Sequence, residues 1–391
     1  MEFNTLLTDE VQDFIQKNLD VNHTELALKK NPFPTIDYPD LINQIIAKKK
    51  AKDKLPTWFE TKNIIYPAKI SIEQTSSEIT AKYKSSLLTG EKLIDLTGGF
   101  GIDDYFFAQK FSEVFHCEIS NELSSIVSHN YSVLNQQNIN CLQGDSFEIL
   151  KQLDMRFDWI YIDPSRRSDI KGKVFLLNDC LPNVPALLDD YFKFTNNILI
   201  KTAPILDITS GLNELKFVKK IHIVAIKNEI KELLWEIEKD YSNEITISSL
   251  NIDNEIINKL DTIYRKNYLA SYSLPKKYLY EPNSSIMKSG NMDFISSFYK
   301  MDKLHQHSHL FTSDQILDFQ GRSFHIDEVI PFQKEFMKAL QKKKMNCTTR
   351  NFPLSVEEIK KKFKFKDGGT IFAFFTTNLN NEKIVLICTK L

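Results

Sequence analysis

Between residues 93 and 226 the chain repeats one pattern: a short apolar run, a turn, then a helical stretch. The runs fall at 93–96, 114–119, 140–142, 159–162, 198–200 and 221–226, and residues 103–111, 123–134, 147–153 and 184–192 carry helical periodicity between them. Parallel strands need a crossover long enough to hold a helix, so this alternation predicts a doubly wound, mostly parallel α/β sheet. Ligands of such sheets bind outside the carboxyl ends of the strands, where the strand order reverses. The residues at and just beyond those ends are acidic: Asp95, Glu118, Asp145 and Asp163.

The first turn reads Asp95, Leu96, Thr97, Gly98, Gly99, Phe100, Gly101, and its glycines let the backbone bend tightly and approach a ligand. It fails as a dinucleotide fingerprint. Counted from Gly99, the last glycine of G-x-G-x-x-G would stand at Asp104, and Asp95 would repel a pyrophosphate. S-adenosylmethionine has no phosphate and carries a sulfonium and an ammonium charge, which a carboxylate suits. Glu118, about 20 residues beyond the glycines, is placed to accept both ribose hydroxyls. Asp145, between Gly144 and Ser146, is placed to accept from an adenine amino group. Each acid alone reads equally well as a helix cap or turn residue. Three of them after successive strands predict one S-adenosylmethionine pocket, built from Asp95, Thr97, Gly98, Gly99, Gly101, Glu118, Asp145 and Ser146.

At these residues the sequence resembles the class I methyltransferases, over about residues 70–250. The resemblance implies a Rossmann-like domain with Asp95 to Gly101, Glu118 and Asp145 as its first three motifs. Within that class, EQTSSEITAKYKSSLL at 73–88 resembles the stretch before the first motif in bacterial THUMP-like-domain methyltransferases. This implies that Gln74, Ser77 and Thr80 touch the methionine end of the cofactor; read by themselves, Ser77 is a helix cap and Thr80 is buried. The fourth run ends as WIYIDPSRR, similar to that family's DPxRR. Asp163 is the candidate catalytic residue, an acceptor that orients the nucleophile. Pro164, Ser165, Arg166, Arg167 and, after the fifth run, Lys201 are candidate substrate-binding residues, the arginines as a clamp for phosphate or carboxylate. Amine-methylating enzymes often carry a second proline and an aromatic where Ser165 and Arg166 stand, so the accepting atom stays open. A hydroxyl methyltransferase using Asp163, Lys201, Glu229 or Glu232, and Lys82 or Lys84 is the other reading of these residues. After the fifth run the chain reads KTAPILD at 201–207 with no cysteine, which disfavours attack on a pyrimidine carbon. The segment IHIVAIKNEIKELLWEI reads as strand or helix, and the resemblance favours strand.

YLYEPNSSIMKSG at 278–290 closely resembles the same family's carboxyl-terminal region. The resemblance implies four parts: an N-terminal helical domain (1–69), the Rossmann-like methyltransferase domain (70–250), a ferredoxin-like domain (251–320) and a THUMP-like domain (321–391). The last reads as strand, helix and strand at 324–326, 331–341 and 347–351, then a hairpin of 369–377 and 383–389 around an Asn-rich loop. Its basic residues are concentrated: Lys334, Lys338, Lys342, Lys343, Lys344, Arg350, Lys360, Lys361, Lys362, Lys364 and Lys366. Phe363 and Phe365 interleave with them, as single-stranded RNA contacts require or as one buried face of a strand. THUMP domains proper deliver structured RNA, so the resemblance implies tRNA or rRNA as partner. Such a patch coexists with a net charge of only −1.

At 391 residues the chain exceeds one core. It has no apolar run of about 18 residues and starts without a secretory signal, so a cytoplasmic protein with no membrane contact is expected. Cys117, Cys141, Cys180, Cys347 and Cys388 form no CxxC pair. His305, His307 and His309 alternate but lack a carboxylate or cysteine partner, so no metal is expected. Three functions fit: a methyltransferase acting on RNA, one acting on a small molecule, and a catalytically silent RNA-binding protein.

Overall fold

The computed structural model describes residues 5–67, 72–166, 176–254 and 256–391. They form two compact units, one of Met1–Val218 with Leu234–Ser242, the other of Lys219–Leu233 with Asn243–Leu391.

The first unit opens with α1 (Asp9–Lys17), α2 (His23–Ala27), α3 (Tyr38–Lys54), α4 (Pro56–Glu60) and α5 (Glu78–Leu87). Strand and helix then alternate as expected: β1 (Lys92–Asp95), α6 (Ile102–Phe107), β2 (Glu113–Glu118), α7 (Asn121–Val133), β3 (Ile139–Gln143), α8 (Ser146–Leu153), β4 (Trp159–Ile162), β5 (Ser165–Arg166), β6 (Cys180–Leu181), α9 (Val184–Tyr191), β7 (Asn197–Thr202) and α10 (Ile208–Glu214). β1 pairs in parallel with β2 and with β4, β2 with β3, and β4 with β7. The order β7-β4-β1-β2-β3 reverses between β1 and β4. That is where a ligand of such a sheet binds.

The first 69 residues do not stand apart as their own domain. Apolar side chains of α1 to α4, among them Ile15, Leu41, Ile45 and Trp58, share one core with Phe100, Ile102 and Phe106 around α6 and with Ile126, Val127 and Tyr131 of α7. Polar ties match this packing: Asn130 of α7 bonds both the N–H and the C=O of Ile65. Glu78 accepts from the backbone and hydroxyl of Thr57. The helical periodicity was visible in the sequence, but not the surface it covers.

β8 (Val218–Ile226) and β9 (Glu229–Glu238), of which Val218 and Leu234–Glu238 belong to the first unit and the rest to the second, replace the strand-or-helix ambiguity with two strands. Lys227 and Asn228 between them have φ of 48° and 65°, the two left-handed residues of a tight hairpin turn. β10 (Thr246–Asp253) runs parallel to β8, and β11 (Ile256–Ile263) antiparallel to β10. There follow β12 (Ser271–Tyr272), β13 (Tyr278–Pro282), α11 (Ser284–Ser289), α12 (Met292–Tyr299), β14 (Asp302–Lys303), β15 (Phe311–Ser313), β16 (Gly321–Pro331), α13 (Lys334–Leu340), β17 (Asn346–Arg350), α14 (Val356–Phe363), β18 (Ile371–Thr377) and β19 (Lys383–Lys390). These strands form one sheet of order β12-β14-β15-β13-β16-β19-β18-β17. β13 pairs with β16 across residue 320, so the two segments on either side share a sheet. Glu281 of β13, 3% exposed, accepts from Arg322 of β16 and lies 2.7 Å from Arg350 of β17. No helix among the described residues is long and apolar enough to cross a membrane.

Candidate active site

The carboxyl ends of β1 and β4 are joined by one hydroxyl. Asp95 closes β1 and accepts from Thr97 N at 2.7 Å and Thr97 Oγ1 at 3.0 Å. The same Oγ1 accepts from the backbone N–H of Asp163 at 2.7 Å, just beyond β4. A cavity of about 150 Å³ opens there, lined by Gln74, Thr75, Ser76, Asp95, Thr97, the glycine turn, Phe100, Ile102, Asp103, Tyr161 and Asp163. A second, of about 520 Å³, shares Thr97, Gly99 and Asp163 with it and reaches Cys117, Glu118, Ile119, Leu123, Gly144, Asp145, Ser146, Ser165, Leu181 and Pro182. The candidate cofactor residues are thus brought into one cleft.

Several already hold a structural bond. Glu118 Oε2 accepts from Gly99 N at 3.2 Å and Oε1 from Ser120 N at 2.7 Å. Asp145 caps α8, accepting from Phe147 N and Glu148 N, each at 3.0 Å. Each carboxylate oxygen keeps a second lone pair, so capping and ligand binding are compatible.

Around the first cavity lies a buried cluster that sequence reasoning missed. Lys84, with no exposed side-chain surface, stands 3.0 Å from Asp103 Oδ1 and donates to Ser76 Oγ at 2.9 Å. Asp103 Oδ2 accepts from Ser76 Oγ and Tyr161 Oη, each at 2.8 Å. Burial alone would raise the Asp103 carboxyl, but the charges of Lys84 and Lys201 and the hydrogen bonds outweigh it and hold it below the usual range. The only sequence signal was charge on two apolar-patterned helices, α5 and α6.

Three expectations change. Ser77 and Thr80 form a capping box at the start of α5 and line neither cavity; the neighbouring Thr75 and Ser76 do. Lys201 is not a free substrate contact, because its Nζ pairs with Asp163 Oδ2. Of the tetrad partners, Lys84 is taken by Asp103, Lys82 is exposed with Glu78 at 4.0 Å, and Glu229 is exposed and pairs with Lys231. Glu232 is buried, and neither glutamate lines the cavities. Pro164 is buried, and Ser165 pairs with Leu181 between β5 and β6. Arg166 is the second residue of β5, and Arg167 lies outside the described residues.

The second unit carries the lysine-rich surface. Lys334, Lys338, Lys342, Lys343, Lys344, Lys361, Lys362, Lys364 and Lys366 are exposed. Backbone bonds from Lys342 to Phe363, Lys366 to Lys343 and Met345 to Lys366 lay the segment after α13 beside the segment after α14, gathering most of these charges at one corner. Arg350 and Lys360 are instead engaged by Glu281 and by Glu357 and Asp367. Of the two readings of Phe363 and Phe365, the buried one holds. α14 ends at Lys364 with φ 56°, and both rings turn inward, 7% exposed and stacked 5.7 Å apart in a core with Ile359 and Phe375. Phe336 of α13, 45% exposed, is the aromatic this surface does present. His305 is buried in a turn and bonds Asn351 and Asn381. Among the described residues no group of three His, Cys, Asp or Glu is gathered to hold a metal ion.

Residues 278–319 match the family model of a ferredoxin-like domain, and residues 321–390 that of a THUMP domain-like unit. No curated protein matches the chain in sequence. Among solved structures, the chain is similar to the "putative methyltransferase from Porphyromonas gingivalis W83", with a TM-score of 0.89, 29% identity, and 99% of this chain and 98% of that one covered. Slighter likenesses are to an rRNA methylase from Streptococcus thermophilus (TM-score 0.30, 13% identity, 41% of this chain, 94% of that) and to M. capricolum TrmK in complex with S-adenosyl-homocysteine (0.32, 13%, 41%, 68%). At those scores they bear on neither fold nor site. The chain thus carries a ferredoxin-like segment and a THUMP domain-like segment after an α/β domain, and it shares its fold with the putative methyltransferase from Porphyromonas gingivalis.

Proposed function

We propose that the chain is a cytoplasmic S-adenosylmethionine-dependent methyltransferase that modifies a structured RNA, tRNA or rRNA. The observation that carries this reading is the single cleft that gathers Asp95, Glu118, Asp145 and Asp163 at the carboxyl ends of parallel strands. Its acids suit a cationic, phosphate-free cofactor. In this reading Glu118 accepts the ribose hydroxyls, Asp145 and Ser146 meet the adenine edge, and Ile119, 72% exposed, covers a flat face of the base. Gln74, Thr75 and Ser76 meet the methionine end beside Asp95, Thr97 and the glycines.

When bound, the cofactor supplies a methyl group on a sulfonium whose thioether leaves neutral, so positioning and exclusion of water matter more than acid–base help. Asp163, steadied by Lys201 and by Thr97, offers the acceptor that orients the incoming nucleophile. RNA as substrate rests on the THUMP-like match and on the nine exposed lysines, none of which has a carboxylate at ion-pair distance among the described residues.

Calorimetric titration tests the cofactor. S-adenosylmethionine is expected to bind and NAD not to, with Asp95→Ala weakening binding on the order of a hundredfold; tight NAD binding would sink the reading. Tritium transfer from labelled cofactor to total RNA of a deletion strain, followed by nucleoside analysis, tests the substrate. Label appearing only in small molecules would redirect it.

A further inference from the structure

Beneath the glycine turn lies a closed set of ionisable groups that the proposed chemistry does not use. Asp104 and His116 are fully buried, and His116 Nδ1 stands 2.6 Å from Asp104 Oδ2. The other oxygen, Asp104 Oδ1, meets no N–H or O–H donor. The Asp104 carboxyl lies within hydrogen-bond reach of the Asp95 carboxyl, which is 2% exposed. Two carboxyl oxygens attract only when a proton lies between them. Gly98 closes the set from above, since a Cβ there would fall 2.1 Å from the His116 ring.

Outside the set, no cation among the described residues acts on Asp95 or Asp104. α6 presents Asp103, itself neutralised by Lys84 of α5 and by Lys201 of β7. β2 presents Cys117 and, at its end, Glu118; α7 presents Tyr131; β3 presents Cys141. Burial holds both thiols and the phenol in their neutral forms.

We propose that Asp95, Asp104 and His116 share one proton in the cofactor-free protein and release it to solvent when a cationic cofactor seats beside Asp95. Asp104 and His116 are then positioning residues, which set the charge that Asp95 shows the cofactor. The inference rests on the cofactor reading above. Burial raises both carboxyls, the charge of Asp104 adds to this at Asp95 and that of Asp103 at Asp104, and burial lowers His116, so the proton resides with the hydrogen-bonded carboxyls. A cation at Asp95 offsets the second negative charge and lowers the proton affinity of the set. By linkage, cofactor affinity then rises with pH, about tenfold per unit, until the set is already deprotonated in the free protein.

Calorimetry of the full chain with S-adenosylmethionine, from about pH 6 to pH 7.5 in phosphate and in Tris, reads the proton directly, because the two buffers differ in ionisation enthalpy. About one proton released per cofactor is expected. The ammonium group of the cofactor, where it titrates, would take a proton up, which is the opposite sign. Asp104→Asn should abolish the release and flatten the pH slope while still binding cofactor. Heat with no buffer dependence in the wild-type chain overturns the inference and leaves the cofactor reading standing. No binding heat at any pH overturns both.

Discussion

The two units use charge in opposite ways. Around Asp103 and Lys84, ions are buried, paired and bonded to neutral partners. On α13, α14 and the segments after them, nine lysines are exposed with no carboxylate at ion-pair distance among the described residues. A buried pair is sensitive to the loss of either member, because the survivor keeps its desolvation cost without its partner. Exposed lysines each contribute little to folding and act through the field they sum to. Charge in the first unit therefore fixes geometry, and charge in the second remains available to a polyanion.

The contrast can be broken most directly at the lysines. Lys84→Met should cost about 3–5 kcal/mol in denaturant unfolding, because Asp103 would be left alone, whereas Lys361→Ala should stay within about 0.5 kcal/mol. A cost for Lys84→Met below about 1 kcal/mol would show the pair to be no more than a surface ion pair.

Next in size are effects on RNA binding. Replacing Lys342, Lys343 and Lys344 by alanine should lower the salt dependence of RNA affinity, by about one unit of log–log slope for each phosphate that is no longer neutralised. Phe336→Ala should weaken single-stranded RNA binding by about 1–3 kcal/mol without loss of stability. Phe363→Ala should do the reverse, costing about 3–5 kcal/mol of folding. An unchanged salt slope in the triple variant would remove this corner from RNA binding.

The smallest effect sharpens the comparison within the first unit, between two neighbouring residues. Asp103 is held below its ordinary range, so it stabilises the fold above about pH 4, and that stability is lost as pH falls through its folded value. Asp104 is raised well above its ordinary range, so its contribution is full below about pH 4 and is lost as pH rises through its folded value. Asp103→Asn should flatten the acid limb of stability against pH, and Asp104→Asn the limb above it. Slopes of the same sign in the two variants would refute the assignment.

Much of this was legible in the sequence because local pattern and tertiary role coincide there. β1 to β4 follow from apolar runs, whereas the turn at Lys227 and Asn228 that splits 221–237 into β8 and β9 was not read. The cleft acids follow from their position after strands. What was not legible depends on partners distant in the chain. Nothing near Ser77 told that it bonds Thr80 while Ser76 faces the cavity. Phe363 and Phe365, two apart among lysines, look the same whether buried or exposed until the left-handed Lys364 turns them in. Lys84 and Asp103 lie on different helices, and only packing makes them a pair.

The glycine turn is constrained from behind as well as from the cofactor side. Gly98 has His116 pressed beneath it, and Gly101, at φ 75°, would place a Cβ 2.0 Å from the hydroxyl of Tyr131, which donates to the Gly101 carbonyl. Gly99 has room for a Cβ, its nearest neighbour being Thr97 O at 3.6 Å, but its φ of 57° is left-handed and strains any side chain. All three glycines would thus stay under selection for foldability alone, and a descendant whose pocket held no ligand would still carry them. In this lineage the three surviving glycines report an intact interior rather than an occupied pocket.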